Sequence, residues 1–418
     1  MPAKKIFISC GELSGESHAS RLVIELLKQE PELEIRALGS DILKELGVKL
    51  IEDYREYSFS GLTEVVANLS KILGLKKRIL KELQEWQPDC VVLVDYGGFN
   101  LELAKSIKAE FKNPPKIIEY IAPQIWASRP WRIKAIKASI DKVLCTLPFE
   151  EKLYKEANIN HIYVGNPVLG SLTRAMPKQD FLKSFAEIQY RKGFSSKTNP
   201  TSETILIGLF PGSRKSEIKH MLPLMLAASN QLIERNPKLN FRFILARTSN
   251  IKRSLLQRYG LHSKLNLAKD KKPHHIEILD ADDMLAANHK LLSAADALWL
   301  CSGTVTLEAA LYTTPYFLAY KSTLINYLLY LLFRTIKIAG LANIISGKSI
   351  AKEFLQYDAN LNNFVNETEA WLHNPQQKYN GDFSDYYYKI KSEFSELKTQ
   401  LSGFDGAKLA AREVLNAC

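Results

Sequence analysis

The sequence predicts an α/β fold made of two doubly wound domains, each a parallel sheet wrapped by helices, followed by a helical tail. Three observations carry this. Short apolar, β-forming runs alternate with longer amphipathic segments along most of the chain. The alternation pauses at a polar, turn-rich stretch, RKGFSSKTNPTSE at residues 191–203, and then starts again. After Asp382 the strand-like runs stop, and Tyr386, Tyr387, Ile390 and Phe394 space an intermittent apolar face. With 418 residues, 46% of them hydrophobic and 24% charged, the chain is long enough for two cores. The expected organisation is residues 1–170 for the first domain, 171–380 for the second, and 381–418 for a helical tail that packs back on the first.

In the first series IFISC leads into a helix over Ser20 to Lys28, and EIRAL into a short helix from Ile42 to Leu46 that stops at Gly47. CVVLV at residues 90–94, a helix from Leu101, KIIEY at 116–120, KVLCT at 142–146, a helix from Phe149 and HIYVG follow. Near-continuous apolar runs of this kind suit parallel strands covered on both faces. A helical stretch after Pro167 closes the series. In the second, ILIGLF, a long helix after Arg214, FRFILA at 241–246, IEIL at 276–279, ALWLC and PYFLAY repeat the order. Open parallel sheets bind ligands beyond the C-terminal ends of their strands, so both domains are expected to line one cleft with those ends.

Two such ends carry the strongest signal. LFPGSRKSEI at residues 209–218 and CSGTVTLEAAL at 301–311 each pass from a strand through small residues into a helix. Unsatisfied backbone N–H groups at a helix start, with the positive end of its dipole, suit an anion. Gly212 and Gly303 allow close approach. Arg214 offers a planar fork of donors for phosphate oxygens, and Glu308 can accept from two ribose hydroxyls. Either turn alone reads equally well as a capped helix start; together, in successive units, they point to a nucleotide diphosphate. G-x-G-x-x-G and G-x-x-x-x-G-K are both absent.

The first domain offers Asp95, which follows four apolar residues and so stands at a strand end facing the cleft. There it can act as a general base on an alcohol, or cap the helix that starts near Asn100. Glu12 is open in the same way, between a substrate contact and a loop carboxylate. Trp126 and Trp131 with Arg129 and Arg132 form a cation–π or lipid-facing patch, or ordinary core packing with solvated charges.

The net charge of +11 favours an acidic partner. No nucleic-acid-binding motif is evident, so a phosphorylated substrate or an anionic lipid surface is favoured. LINYLLYLLF at 324–333, flanked by Lys321, Arg334 and Lys337, is as a helix only ~15 Å long, about half a bilayer core. It either dips into a membrane interface or is a buried helix. The five cysteines (Cys10, Cys90, Cys145, Cys301, Cys418) include no C-x-x-C, and the histidines, among them the adjacent His274 and His275, show no metal spacing. Neither metal nor cofactor is expected. No serine elbow is present, and no secretory signal is read at the N-terminus, so a reducing cytoplasm is expected.

Taken in order, G-E-L-S-G-E (residues 11–16), E-V-V (64–66), V-D-Y-x-x-F-N around Asp95 and Asn100, A-P-Q-I-W-A (122–127), F-P-G-S-R-x-x-E-I, S-G-T-x-T-L-E and L-A-N-I-I-S-G-K-S-I-A-K-E-F-L-Q (341–356) closely resemble the lipid-A-disaccharide synthase family. These are inverting glycosyltransferases of the two-domain, Rossmann-like B-type fold. The resemblance implies transfer of diacylglucosamine from its uridine diphosphate to the 6-hydroxyl of diacylglucosamine 1-phosphate, giving the β-1,6-linked disaccharide and UDP. It implies a peripheral protein on the cytoplasmic face of the bacterial inner membrane, in contact with anionic lipid, with homodimer formation left open. Carried over, Asp95 is the general base. Gly212, Ser213, Arg214, Ser302, Gly303, Thr304 and Glu308 form the donor-nucleotide site. Glu12, Ser14, Gly15, Asn100, Asn343, Glu353 and Gln356 line the cleft. The pattern departs from the family's at Glu16 (usually Asp), Ser60 (Met), Gly97 (Pro), Ser128 (Trp) and Asn166 (His), all in the first domain. Two further readings keep the nucleotide turns: a UDP-sugar epimerase or hydrolase of the same fold, and a non-catalytic paralogue that binds nucleotide and membrane.

Overall fold

The computed structural model describes residues 3–57, 67–193, 204–261, 276–372 and 382–418. Most of the polar stretch at 191–203, the E-V-V motif at 64–66, Ser60, and His274 with His275 lie outside the described residues.

The first compact unit is built on seven strands: β1 (Lys5–Cys10), β2 (Glu34–Gly39), β3 (Lys49–Asp53), β4 (Cys90–Val94), β5 (Lys116–Tyr120), β6 (Lys142–Cys145) and β7 (His161–Tyr163). They lie in the order β3-β2-β1-β4-β5-β6-β7, and every pairing is parallel. All five residues of β4 are buried, as a central strand covered on both faces requires. The helix Leu13–Gln29 turns Ala19, Leu22, Val23 and Leu26 inward at helical spacing onto the core. It begins earlier than the Ser20 expected from periodicity, because Gly15 and Glu16 are themselves buried on its inner face.

The second unit repeats the plan with β8 (Thr204–Phe210), β9 (Asn240–Arg247), β10 (Ile276–Asp280), β11 (Ala297–Cys301), β12 (Tyr316–Tyr320) and β13 (Glu353–Leu355). Their order is β10-β9-β8-β11-β12-β13, again all parallel. Its core centres on Trp299, whose indole N–H donates to Thr368 Oγ1 at 3.0 Å while its ring meets Phe243, Phe317 and Phe364.

Neither unit is continuous in sequence. The first comprises Met1–Ser171, Leu328–Lys337 and Leu401–Cys418; the second comprises Leu172–Tyr327 and Ile338–Gln400. The tail is therefore shared between them rather than forming one block from residue 381. Tyr387 donates its hydroxyl to the Asp296 carbonyl at 2.8 Å and Phe394 stacks on Tyr316, which ties residues up to 400 to the second unit. The terminal helix Gly406–Leu415 instead sends Ala410, Ala411 and Val414 into the first core, and Lys4 Nζ donates to the Leu415 carbonyl at 2.9 Å.

Strand order decides where ligands can bind. In each sheet the winding reverses once, between β1 and β4 in the first and between β8 and β11 in the second. The crevice at such a reversal, beyond the strand C-termini, is the binding position of doubly wound sheets.

Candidate active site

At the first reversal, β1 delivers Gly11–Glu16 and β4 delivers Asp95–Asn100, and the two turns pack on each other through glycines. A Cβ on Gly11 would fall 2.2 Å from Cγ of Tyr96, so the Tyr96 ring rests directly on the Gly11 backbone. A Cβ on Gly15 would lie 3.3 Å from Cβ of Asp95. Glu12, Ser14, Gly15, Asp95 and Asn100 are thereby brought to one place.

Asp95 and Tyr96 both adopt the left-handed backbone, with φ of 53° and 55°. For residues other than glycine this costs on the order of 1–3 kcal/mol and persists only where neighbours enforce it. Here Asn100 enforces it. Its Nδ2 donates to the Asp95 carbonyl at 2.5 Å, and its Oδ1 accepts from the Ser9 hydroxyl at 2.7 Å. The Asp95 side chain is half-buried, and Oδ1 accepts the Tyr96 N–H at 2.9 Å. It therefore steadies the turn that precedes the helix Gly97–Glu110 without being that helix's N-cap, a position Tyr96 fills. The Glu12 carbonyl accepts the Glu16 N–H at 2.9 Å, while its side chain makes no cap of the helix Leu13–Gln29. Burial, and then the Glu12 charge, push the Tyr96 phenol up to about 12.

Beneath these turns lies a residue that sequence reading passed over. Glu119, inside the apolar run of β5, is fully buried and pairs in register with Leu93 of β4 and Val143 of β6. Neither carboxyl oxygen has a hydrogen-bond partner among the described residues. Burial, reinforced by the Asp95 charge and only partly offset by Arg132, holds its pKa well above the ordinary carboxylate range. Glu119, near Asp95, therefore keeps its proton to higher pH than an ordinary carboxyl group does. The signal available in the sequence was a glutamate in the middle of a run that otherwise reads as a doubly covered strand.

At the second reversal, β8 ends at Phe210 and β11 at Cys301, and both nucleotide-type turns sit there. Gly212 has φ of 113°, a conformation that favours glycine. Arg214 is the N-cap of the helix Lys215–Arg235, and the Ser213 carbonyl accepts from Asn250 Nδ2 at 2.8 Å. Across the reversal the Ser302 N–H is held by the Ala319 carbonyl at 3.1 Å, and Thr306 Oγ1 donates to the Gly303 carbonyl at 2.8 Å. Gly303 and Thr304 are exposed, with nothing within 4 Å of where a Gly303 Cβ would be. Glu308 lies half-buried in the first turn of the helix Val305–Leu311. The expected row of open N–H groups on the first turn differs in one respect: Glu217 accepts both the Ser213 and the Arg214 N–H.

The third block is bound up in the scaffold. Asn343 Nδ2 donates to Glu353 Oε1 and to the Ala351 carbonyl, both at 2.8 Å, and its Oδ1 accepts from Ile350 and Ala351 N–H. Glu353 also accepts the Ala339 and Gly340 N–H groups. Gln356, at φ 53°, clamps Ser322 through both ends of its amide. These side chains shape the loops beyond β12 and β13.

The profile of the family described as lipid-A-disaccharide synthetase matches residues 6–402. The chain belongs to this family. A lipid-A-disaccharide synthase of Syntrophus aciditrophicus (strain SB) is 33% identical over 407 residues, covering 97% of this chain and 96% of the relative. Lipid-A-disaccharide synthase 1 of Legionella pneumophila subsp. pneumophila (strain Philadelphia 1) is 34% identical over 403 residues, covering 96% of each. Among solved structures, UDP-GlcNAc 2-epimerase from Neisseria meningitidis bound to UDP-GlcNAc superposes with a TM-score of 0.57 at 13% identity, over 99% of this chain and 100% of that one. The glycotransferase of kitacinnamycin gives 0.57 at 12% identity over 100% of each chain. At such identities the structures establish the two-domain B-type fold alone. Membership of the lipid-A-disaccharide synthetase family makes the chain a glycosyltransferase of lipid A biosynthesis, acting on a UDP-sugar donor and a glucosamine phosphate acceptor.

Of the departures read in the first unit, Glu16, Gly97, Asn166 and Ser128 can be placed in their surroundings, while Ser60 lies outside the described residues. Glu16 is buried and accepts from Ser40 N–H and Ser40 Oγ, both at 2.5 Å, and from the Tyr54 hydroxyl at 3.0 Å, so it anchors the loop after β2. A Cβ on Gly97 would lie 2.4 Å from Cγ of Pro123, which leaves no space for a proline there. Asn166 is buried and its Oδ1 accepts the Val168 N–H at 3.0 Å. Ser128 bridges to Arg334, and Trp126 donates to Glu150 at 3.0 Å while Trp131 is exposed.

Proposed function

We propose that this chain transfers 2,3-diacylglucosamine from UDP-2,3-diacylglucosamine to the 6-hydroxyl of 2,3-diacylglucosamine 1-phosphate, forming the β-1,6-linked lipid A disaccharide 1-phosphate and UDP. The family match over residues 6–402 is the observation that carries it. In this reading the Asp95 carboxylate takes the proton of the acceptor hydroxyl as that oxygen attacks the anomeric carbon. The bond to the diphosphate breaks on the opposite side, and its electron pair leaves with UDP. Gly212, Ser213 and Arg214 on one turn and Ser302, Gly303, Thr304 and Glu308 on the other hold the nucleotide. Preorganised N–H groups and a guanidinium stabilise the leaving charge. Glu12, Ser14, Gly15 and Asn100 line the acceptor side; Asn343, Glu353 and Gln356 support the loops around the donor.

No helix among the described residues is long and apolar enough to cross a membrane. Leu324, Leu328 and Leu332, one helical repeat apart in the helix Leu324–Phe333, are 55%, 55% and 73% exposed, with Arg334 stacked over Tyr330. In the proposed reading this apolar stripe and its basic flanks rest on anionic lipid at the cytoplasmic face of the inner membrane, where both substrates are anchored by their acyl chains.

The deciding assay supplies the purified protein with the diacylated donor and follows UDP. Release is expected only when diacylglucosamine 1-phosphate is present, and Asp95→Asn is expected to lose most turnover while still binding UDP. UDP release that is independent of acceptor would replace the transferase reading with a hydrolase or epimerase.

A further inference from the structure

The crevice between β8 and β11 already contains an anion from the protein itself. Glu217, in the first turn of the helix Lys215–Arg235, folds back over the PGSR turn. Its Oε2 accepts the Ser213 N–H at 2.9 Å and the Arg214 N–H at 3.1 Å, and its Oε1 faces Arg214 Nη1 at 3.4 Å. The space it uses exists because residue 212 is glycine: a Cβ there would lie 2.4 Å from Oε2. The side chain is only 7% exposed. It lies near both neighbouring strand ends. After burial, the Glu217 charge is the next largest influence pushing up the Cys301 thiol at the end of β11 and the Tyr320 phenol at the end of β12.

The two backbone N–H groups and the guanidinium engaged by Glu217 are the donors on this turn that suit a phosphate. A carboxylate and a phosphate oxygen carry the same sign of charge and accept in similar geometry, so they compete for these groups. We propose that Glu217 occupies the diphosphate's place in the nucleotide-free protein and yields the Ser213 and Arg214 donors to the incoming UDP moiety. The proposal rests on the donor-site reading above. Glu217 keeps the turn ordered between turnovers, lowers its affinity for any diphosphate, and on its return helps to expel UDP. A glutamate acting only as a helix cap would do none of the last two.

The test titrates UDP and uridine, separately, into wild type and Glu217→Gln by calorimetry. Both N–H groups are accepted by a single oxygen, Oε2, so the glutamine carbonyl can accept both and the helix start keeps its cap while the charge is removed. The expected result is a rise of roughly tenfold in the ratio of UDP to uridine affinity, with uridine binding unchanged. An unchanged or lower ratio overturns the proposal. Glu217→Asp keeps the charge but withdraws it from the amides, and is expected to shift the ratio in the same direction; it serves if the glutamine variant does not fold. If wild type itself shows no preference for UDP over uridine, the donor-site reading fails, and this proposal with it.

Discussion

Replacing Glu119 with glutamine should make the protein's stability less dependent on pH. Glu119 is fully buried, both oxygens lack partners among the described residues, and burial followed by the Asp95 charge raises its pKa from an ordinary 4.5. The folded chain therefore keeps this proton over a range in which the unfolded chain has released it. Stability rises with pH only where the unfolded state binds more protons; here it binds fewer, so stability must fall as pH rises. The stabilisation is complete below the ordinary value and is lost as pH climbs toward the raised one, at about 1.4 kcal/mol per pH unit. Glutamine has no proton to lose, so that slope disappears from the variant. Its amide, buried without a partner, adds a penalty on the order of 1–3 kcal/mol that does not change with pH and is separable from the slope. Urea denaturation of both proteins at pH 5, 6 and 7, compared at the transition of the first unit, reads the difference. The variant is expected to gain on wild type with each step. Parallel curves would show that Glu119 is ionised in the folded protein or has a partner, and would refute the reasoning.

Arg214→Ala should weaken the donor-bound state by about 2 kcal/mol, the size of a lost charge-assisted interaction, seen as a higher donor KM or lower kcat; unchanged donor kinetics would remove Arg214 from the site. Gly97→Ala should destabilise the first unit by roughly 1–3 kcal/mol, since its Cβ would collide with Pro123, and a melting temperature equal to wild type would contradict that packing. Leu328→Glu with Leu332→Glu should reduce flotation with vesicles of phosphatidylethanolamine and phosphatidylglycerol while leaving UDP binding intact; equal flotation would reject the lipid-facing role of this stripe.

Much of the architecture was legible because fully covered parallel strands must be written in apolar, β-forming residues. CVVLV, ILIGLF and ALWLC are strands at the expected places, and the polar ends beyond them carry the candidate site. Elements less marked by composition were not read. β3, with the sequence KLIED, is only half-buried at the sheet edge, and β13 has three residues, so neither needs a continuous apolar run. The helix Leu69–Trp86 went unread although its buried face, Leu75, Ile79, Leu80, Leu83 and Trp86, has clear helical spacing. Gly97 is a departure from the family pattern when seen in sequence; in the fold it lies against Pro123, where a Cβ would come within 2.4 Å of the ring.

The sequence by itself determined the α/β class, the family and the turns proposed to meet ligands, because strand periodicity, glycine turns and helix starts are local and survive as ordered motifs. Tertiary structure decided what each charged group at those turns does. Only strand order placed β4 beside β1 and β11 beside β8. Only packing showed that Glu119 is buried near Asp95, that Asn343 and Glu353 bond each other, and that Glu217 folds over Gly212 onto the PGSR turn. Burial and hydrogen-bond competition depend on the whole set of neighbours around a side chain, most of them distant along the chain, and no local pattern encodes them.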